Sequence, residues 1–289
     1  MTADGATRRV LSLSCADVPG IVHAVTGLLL DHDANIVESQ QFGDPDSGRF
    51  FMRVQFARTI PGVFDDAVLR GDLEAVAERF SMSWRLVDPD LRLRVVIMAS
   101  KLAHCLNDLL FRISLGELPI EVAAVVSNHP DLQPLAARHG LPFRHIPVSH
   151  ETKRAAEAEL LTVIEGLRVD TVILARYMQV LTDDLCKQLE GRAINIHHSM
   201  LPSFKGARPY RQAHDRGVKL IGATAHYVTA DLDEGPIIEQ DVARVDHSMS
   251  EGELIAIGRD LECRALARAV RWHSENRVVL NGTRTVVFQ

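Results

Sequence analysis

Two polar side chains with catalytic potential lie close together in an otherwise apolar segment. Asn195 and His197 alternate with Ile194 and Ile196. Side chains of a strand point alternately to its two faces, so this spacing puts Asn195 and His197 on the same face. An amide and an imidazole held side by side can both donate to one carbonyl oxygen and stabilise a tetrahedral oxyanion. The spacing by itself favours the alternative, a polar strand end whose Asn and His bond to neighbouring loops.

A second polar cluster begins at His226 and continues into a predicted loop. This loop carries the carboxylates of Asp231, Asp233 and Glu234 ahead of a Gly-Pro pair. A carboxylate beside an imidazole can hold a water molecule, accept its proton and keep the imidazole cationic. A solvated acidic turn is the alternative interpretation, and it is the commoner one for two nearby aspartates. A calcium-binding loop is disfavoured, because the later ligand positions of an EF-hand are missing.

Alternating strand and helix patterns surround both clusters and predict an α/β domain with a parallel sheet covered on both faces. In such a sheet the carboxyl ends of the strands open onto the crevice where ligands bind. A C-terminal hairpin is also predicted, because Asn281-Gly282 suits a type I′ turn. The predicted strands cover 91–98, 121–126, 143–146, 171–174, 193–197 and 221–228. The predicted helices cover 102–114, 131–139 and 152–167, and a long final helix turns Leu254, Ile257, Leu261, Leu266 and Val270 inward.

The first part of the chain follows a different order, βαββαβ, which predicts a small sheet with both helices on one face. Asp88-Pro-Asp90 is the predicted boundary, since proline cannot continue a strand ladder. We therefore expect an N-terminal domain over 7–88 and a larger domain over 91–289. The strands predicted in the first domain cover 10–14, 35–41, 49–56 and 83–87, and its helices cover 21–30 and 64–80.

Composition argues against several classes of protein. The formal charge of −6, with no run of like charges, gives no support for a nucleic-acid partner. Four scattered cysteines lack metal-ligand spacing and fit reduced thiols in the cytosol better than disulfides. No apolar run approaches the ~20 residues needed to span a bilayer, and residues 1–10 lack the apolar core of a signal peptide. We expect a cytoplasmic protein with no nucleic-acid or membrane partner.

The two polar clusters together resemble a known family. The first motif, N-I-H-H-S-x-L-P-S-F-x-G-A-x-P-Y-x-Q-A, begins at Asn195. The second, H-Y-V-T-x-D-L-D-E-G-P-I-I, begins at His226. These motifs are similar to the folate-dependent formyltransferase-type domain, from about residue 91 to the end. The resemblance implies a Rossmann-like, mostly parallel sheet and a catalytic triad of Asn195, His197 and Asp233. It also implies a supporting role for His226 near the site.

The segment from Leu174 to Leu181 resembles the part of that family which binds the pterin ring, largely through backbone groups. The resemblance implies that this segment binds the substrate, with apolar side chains flanking the ring plane. An ordinary connection between a strand and a helix is the alternative. The substrate-binding candidates in this segment are Arg176, Tyr177, Met178, Val180 and Leu181.

A further resemblance separates hydrolysis from formyl transfer. Transferases for a phosphorylated amine carry a glycine-rich loop whose backbone N–H groups bind phosphate. The matching segment here, 98–108, contains no glycine, and S-K-x-x-H-C-L-x-D-L-L resembles the version found in deformylases. Lys101 and His104 in this segment are candidate substrate-binding residues, although a surface lysine and a structurally bonded histidine are the commoner outcomes.

The N-terminal segment resembles an ACT domain. Asp17-Val-Pro-Gly-Ile-Val22 precedes a helix, and Ala34-Asn-Ile36 opens a strand. ACT modules bind small effectors, often amino acids, at subunit interfaces, and deformylases of this family carry one ahead of the formyltransferase-type domain. The resemblance therefore implies a possible amino-acid effector and a homo-oligomer. A purely structural role for the domain is an equal alternative.

Taken together, these resemblances imply an enzyme that hydrolyses 10-formyltetrahydrofolate to tetrahydrofolate and formate, in support of one-carbon and purine metabolism. Folate is the substrate in this hypothesis, and no cofactor and no metal are required. In the expected mechanism, Asn195 and protonated His197 polarise the formyl oxygen while Asp233 holds the attacking water. Two alternatives stay open: formyl transfer to an amine, and a non-catalytic amino-acid sensor built on the same fold.

Overall fold

A computed structural model describes residues 7–202 and 209–289. The chain folds into two compact units that divide between Leu91 and Arg92. The predicted ranges of 7–88 and 91–289 give the whole C-terminal tail to the second domain. In the structure, however, Glu275–Asn281 and Val286–Gln289 pack with the first unit.

The first unit has the predicted βαββαβ order and an antiparallel sheet in the order β2-β3-β1-β4. Its apolar core lies between the sheet and the two helices, where Leu11, Val25, Phe56 and Leu69 are fully buried. The second helix begins two residues later than predicted, because the side chain of Asp65 caps it by accepting from the N–H groups of residues 67 and 68. The elements are β1 (Arg8–Ala16), α1 (Ile21–Asp31), β2 (Ala34–Asp44), β3 (Arg49–Arg58), α2 (Asp66–Phe80) and β4 (Ser83–Val87).

The C-terminal tail is bonded to this sheet by polar contacts. Arg277 donates to both carboxylate oxygens of Glu38, at 2.9 and 3.1 Å, and Arg53 donates to the same carboxylate at 2.9 Å. Arg53 also donates to the backbone carbonyl of Glu275, and Ser12 donates to that of Asn276. These bonds explain why the tail belongs to the first unit. Nothing in the local sequence pattern of 275–289 indicated them.

The second unit is built on a seven-stranded sheet in the order β11-β10-β9-β8-β5-β6-β7. Strands β5 to β9 run parallel to one another; β10 is antiparallel to β9, and the edge strand β11 is antiparallel to β10. The strands are β5 (Leu93–Ala99), β6 (Ile120–Ser127), β7 (Phe143–His145), β8 (Thr171–Leu174), β9 (Ala193–His197), β10 (Leu220–Tyr227) and β11 (Ile237–Arg244). The helices are α3 (His104–Ser114), α4 (Gln133–Arg138), α5 (Lys153–Gly166), α6 (Asp183–Gln188), α7 (Pro209–Asp215) and α8 (Glu251–Ser274), with a short 3-10 helix at Pro130–Leu132.

The predicted α/β class and the mostly parallel sheet are confirmed, but strand β11 and helices α6 and α7 were not predicted. The β11 segment, I-I-E-Q-D-V-A-R, lacks regular alternation, and its place as an edge strand depends on pairing with β10. Helix α6 is a short helix capped by Thr182, whose side chain accepts from the N–H of Leu185. Among the described helices, none combines the length and apolar composition that crossing a membrane requires.

The predicted type I′ turn in the final hairpin is wrong. Strands β12 (Val278–Asn281) and β13 (Arg284–Val287) pair as a two-stranded sheet, so the loop consists of Gly282 and Thr283. A type I′ turn needs positive φ at both central residues, whereas only Gly282, with φ 60°, has it here. Glycine at the first loop position is instead the pattern of a type II′ turn.

Candidate active site

Strand β9 places Asn195 and His197 at the carboxyl end of the parallel sheet, and it pairs with β8 on one side and β10 on the other. The antiparallel register with β10 puts His226 directly opposite Asn195, and Thr224 opposite His197. Ile194 and Ile196, which alternate with the two polar residues, are both buried. The alternation predicted from the sequence is therefore present, with a third polar side chain supplied by the neighbouring strand.

The loop after β10 brings Asp233 to this strand end. Oδ1 of Asp233 lies 3.2 Å from Nδ1 of His197 and 3.8 Å from Nε2 of His226. Asp233 has the left-handed backbone conformation, with φ 58°, an arrangement that non-glycine residues adopt mainly at functional sites and turns. The structure thus brings Asn195, His197, His226 and Asp233 together from two separate stretches of the chain.

Gly235 makes this loop conformation possible. A Cβ atom at residue 235 would lie 1.7 Å from the backbone oxygen of Tyr227, so no side chain fits there. The loop also returns to the strand through a hydrogen bond of 2.9 Å from the N–H of Tyr227 to the carbonyl of Pro236. The Gly-Pro pair that follows Asp233 therefore holds its loop against β10.

Hydrogen bonding around His226 orients the amide of Asn195. Nδ1 of His226 lies 2.9 Å from the backbone oxygen of Tyr227, and since a carbonyl can only accept, Nδ1 carries the proton. Nε2 of the neutral ring is then an acceptor, and Nδ2 of Asn195 donates to it over 3.2 Å. Burial lowers the pKa of His226, which favours this neutral form. One N–H of Asn195 is thereby used, and the second is left for another acceptor.

The electrostatics keep Asp233 ionised. Burial raises the pKa of this carboxyl, but the hydrogen bond and charge of His197, together with His226, outweigh burial and hold the pKa below its ordinary value. The neighbouring His198 behaves differently: burial, then the charge of Arg176, lowers its pKa to about 4. At neutral pH the site therefore contains a carboxylate base beside His197 and an uncharged imidazole at residue 198.

A cavity of about 600 Å³ opens onto these residues. Much of its apolar lining comes from β8, the loop after it and residues that follow β10: Leu174, Met178, Val180, Leu181, Val228 and Leu232. Leu102, Cys186, Ile196 and Ile255 add further apolar surface. The polar lining includes His104, Arg176, Asn195, His197, Tyr210, His226, Asp233, Arg259 and Glu262.

The loop after β8 is held to the strand end of β5. Ser100 donates its backbone N–H to the carbonyl of Arg176 at 3.2 Å, and its hydroxyl accepts from the N–H of Met178 at 2.9 Å. The same hydroxyl donates to Oδ1 of Asn128 at 2.6 Å. Strands β5 and β8 flank the point where the strand order reverses, which is where open α/β sheets bind ligands. The loop also includes Tyr177, and all five predicted binding residues of this segment line the cavity.

The comparisons with known proteins agree with these features. Residues 93–270 match the family model of formyl transferases, and residues 9–76 match that of ACT domains. A formyltetrahydrofolate deformylase from Corynebacterium sp. (strain P-1) is 54% identical over 283 residues, which is 98% of each chain. The crystal structure of a formyltetrahydrofolate deformylase from Burkholderia mallei is 56% identical, with a TM-score of 0.93, and the match covers 98% of this chain and 100% of that one.

The chain belongs to the formyltetrahydrofolate deformylase family. A related but shorter enzyme, glycinamide ribonucleotide transformylase 1 from Symbiobacterium toebii, is 31% identical, with a TM-score of 0.65. That match covers 68% of this chain and 95% of the transformylase. The formyltransferase-type fold is therefore common to both groups, whereas the first unit with its ACT domain distinguishes the deformylase family from this transformylase.

Glu262 is a site residue of this family member that the sequence interpretation missed. Its side chain is only 1% exposed, yet it accepts from Nε2 of His104 at 2.7 Å and from the hydroxyl of Tyr210 at 2.7 Å. Nε of Arg176 lies 3.3 Å from the same carboxylate. The available signal was a glutamate next to Leu261 on the inward face of α8, because a glutamate on a buried helix face requires partners.

Lys101 and His104, the two candidates from segment 98–108, have different positions. His104 reaches the cavity through its bond to Glu262, whereas Lys101 has an exposed side chain and does not line the cavity. A substrate-binding role for each stays a prediction. Asp231 and Glu234, to which no catalytic role was given, are both exposed. Residues 203–208 of the first motif lie outside the described residues.

No metal was expected at the site. Within the described residues, one cluster of side chains could nevertheless offer metal ligands. Ligand atoms of His104, Cys105 and Glu262 all lie within 4.8 Å of one another. Cys263 and burial raise the pKa of the Cys105 thiol well above its usual value, which disfavours the thiolate that a metal needs. Glu262 already accepts from its neighbours, and Arg176 places a positive charge beside it. Both features compete with a metal ion.

Proposed function

We propose that this chain hydrolyses 10-formyltetrahydrofolate to tetrahydrofolate and formate at the site formed by Asn195, His197 and Asp233. The observation that carries this assignment is the 3.2 Å contact between His197 and Asp233 beside Asn195 on a cavity with a largely apolar lining. Membership in the deformylase family supports water as the second substrate.

The expected chemistry follows from the hydrogen-bonding capacity of each group. The free N–H of Asn195 and Nε2 of a protonated His197 donate to the formyl oxygen as it gains negative charge. Asp233 accepts a proton from water, whose oxygen bonds to the formyl carbon. The bond from this carbon to the folate nitrogen then breaks, and the proton passes through the same network to that nitrogen. Formate and tetrahydrofolate are released.

His226 is assigned a positioning role in this mechanism. Its neutral ring holds the amide of Asn195 by accepting one N–H, so that the other can face the substrate. The five candidate residues between Arg176 and Leu181 are assigned to the pterin ring because they line the cavity on a loop with irregular backbone. Apolar surface with a few convergent polar groups is the usual composition of such a ligand site.

Incubation of the purified protein with 10-formyltetrahydrofolate in buffer alone tests the proposal. We expect stoichiometric formate and tetrahydrofolate without any acceptor or added cofactor. Release of formate only after addition of an amine, with the amine gaining the formyl group, would instead indicate a transferase. No turnover under either condition would indicate a non-catalytic sensor.

The remaining expectations concern the first unit and the cellular setting. An amino-acid effector is proposed for it because residues 9–76 match the ACT-domain model. Self-association is proposed because edge strand β2 exposes Val37 and Phe42, and pairing of chains covers such edges. A cytoplasmic location is proposed from the four free cysteines.

A further inference from the structure

Four side chains that line the cavity form an interlocked group, which we name the acceptor-side wall: His104, Arg176, Tyr210 and Glu262. Glu262 is its centre, because both of its oxygens are engaged: Oε2 by His104 at 2.7 Å and by Arg176 at 3.3 Å, and Oε1 by Tyr210 at 2.7 Å. The four residues come from α3, the loop after β8, α7 and α8. The group therefore joins four separate parts of the second unit.

Gly258 provides an independent sign that Tyr210 is built into this wall. A Cβ atom at Gly258 would lie 2.1 Å from the hydroxyl oxygen of Tyr210 and 2.2 Å from Cζ. The end of the tyrosine ring therefore lies directly on the backbone of α8, one turn before Glu262. Glycine inside a helix costs about 1 kcal/mol relative to alanine, so a packing reason for it is expected. Contact with Tyr210 is that reason.

The charges of the wall make it resistant to rearrangement. Burial raises the pKa of Glu262, but His104, Arg176 and Tyr210 outweigh burial and hold this pKa below its ordinary value. Burial and the adjacent Glu262 raise the pKa of Tyr210, so its hydroxyl remains a donor. Removal of one partner would leave the buried carboxylate of Glu262 with fewer compensating groups, which is unfavourable. Displacement of these side chains by a ligand would therefore cost free energy.

The position of the wall determines what can approach the formyl carbon. The pterin ring is assigned to the loop after β8, which Arg176 joins to the wall, and Asn195, His197 and Asp233 define where the formyl group reacts. The wall residues line this same cavity, and the ring of Tyr210 lies 6.3 Å from the ring of His198, the residue after His197. A second substrate has to reach the formyl carbon within this cavity, where the wall occupies space. We propose that the acceptor-side wall restricts the nucleophile to water by excluding amines from the formyl carbon. This inference rests on the proposed hydrolysis at the same site.

The excluded reaction is formyl transfer. In it, an amine nitrogen bonds to the formyl carbon, the bond from this carbon to the folate nitrogen breaks, and the proton lost by the amine moves to the folate nitrogen. Water and an amine thus compete for one carbon. The ratio of formylated amine to formate reports on access of the two nucleophiles, and it does not depend on the overall turnover rate.

Two substitutions open the wall without changing Asn195, His197 or Asp233. Gly258→Ala places a methyl group where the end of the Tyr210 ring lies, so the ring has to move and its hydrogen bond to Glu262 is strained or lost. Tyr210→Ala removes the ring directly. Gly252→Ala is the matched control in the same helix, because its added methyl group meets nothing closer than 3.9 Å.

Each purified variant is incubated with 10-formyltetrahydrofolate and either hydroxylamine or the larger glycinamide, and both products are quantified against an enzyme-free blank. We expect Gly258→Ala and Tyr210→Ala to raise the ratio of formylated amine to formate by on the order of tenfold or more, the scale on which small changes in pocket size discriminate substrates. Gly252→Ala should keep the wild-type ratio. Thermal melting establishes whether each variant is folded. If Gly258→Ala does not fold, the product ratio of Tyr210→Ala tests the proposal.

An unchanged ratio in folded Tyr210→Ala, with formate release continuing, would overturn the proposal. Failure of the proposed function has a different signature. In that case Asn195→Ala releases formate at the wild-type rate, or the wild-type protein releases none, whatever the product ratio of the wall variants.

Discussion

Nδ1 of His197 lies 3.2 Å from Oδ1 of Asp233, although His197 ends a strand and Asp233 occupies the loop that follows the next strand. This contact directs Nδ1 of the imidazole to a carboxylate, and Nε2 is buried with no hydrogen-bond partner among the described residues. The proposed mechanism uses this Nε2 as a donor to the formyl oxygen and the carboxylate as the base for water.

Substitution of the proposed catalytic residues should remove turnover without unfolding the protein. Removal of one oxyanion donor typically lowers kcat by ~10²–10³, and we expect Asn195→Ala to do so. We expect Asp233→Asn to cause a loss of at least that size, because an amide cannot accept the proton of water. Formate release measures the rates, and thermal melting measures the folded state. Asp231→Asn, an exposed neighbour in the same loop, is the control and should retain wild-type turnover.

Gly235→Ala should impair the site through the backbone alone. Its Cβ atom would overlap the carbonyl oxygen of Tyr227, and since both groups belong to the main chain, the loop that carries Asp233 must move. We expect kcat to fall by on the order of 10²-fold, as for other small displacements of catalytic groups. Gly71→Ala in helix α2, where an added Cβ meets nothing within 4 Å, should instead raise stability by about 1 kcal/mol. Equal turnover of the Gly235→Ala and wild-type proteins would contradict this account.

Stability should decrease as the pH falls from 7 to 5. The pKa values of His198 and His226 are lower in the folded protein than the usual 6.5, so the unfolded chain binds more protons in this window. Stability contributed by these groups is therefore present above pH 6.5 and is lost as the pH falls towards the folded pKa. Each imidazole contributes at most about 1.4 kcal/mol per pH unit.

Urea midpoints at pH 7 and pH 5 measure this effect. We expect His198→Gln to show a smaller decrease between the two pH values than the wild-type protein. Asp233 and Glu262, whose pKa values are also lowered, act at more acidic pH, because the ordinary pKa of a carboxyl already lies below 5. If the urea midpoint fell equally between pH 7 and pH 5 in His198→Gln and in the wild-type protein, His198 would not contribute to the pH dependence.

The tail that packs on the first unit should stabilise it through Glu38 and Arg277. This pair is partly buried, and its carboxylate also holds the buried guanidinium of Arg53. A double-mutant cycle with Glu38→Gln and Arg277→Met should give a coupling energy of about 1–2 kcal/mol. The exposed pair of Arg8 and Asp90 in the same unit is the comparison, and it should give at most about 1 kcal/mol. A smaller value for the buried pair would contradict the structural role of the tail.

Prolonged treatment with a chelator should leave formate release unchanged. His104, Cys105 and Glu262 offer metal ligands, but the proposed mechanism uses the carboxylate of Asp233, and not a metal ion, to activate water. Activity that is lost on chelation and restored by zinc would require a different mechanism. Metal analysis of the purified protein before and after treatment is the accompanying control.

Much of the fold was predictable because its signals are local. The period of two that placed Asn195 and His197 on one face of β9 is a property of strand geometry. The order of strands and helices in both units was predicted from the spacing of apolar residues, which is also a local signal. Strand β11 escaped prediction because an edge strand buries little and its sequence lacks alternation. The tail escaped because its bonds to the first unit, such as Arg277 to Glu38, join residues that are distant in the chain.

The sequence by itself determined the alternation of Asn195 and His197, the acidic loop with Asp233, and the resemblance that joins these two motifs. Only the tertiary structure decided that Glu262 would be buried under His104, Arg176 and Tyr210, and that Gly258 would leave room for the tyrosine ring. The physical reason is that backbone periodicity acts between neighbouring residues. Burial of a charge, and the partners it then requires, depends on which distant elements pack against it.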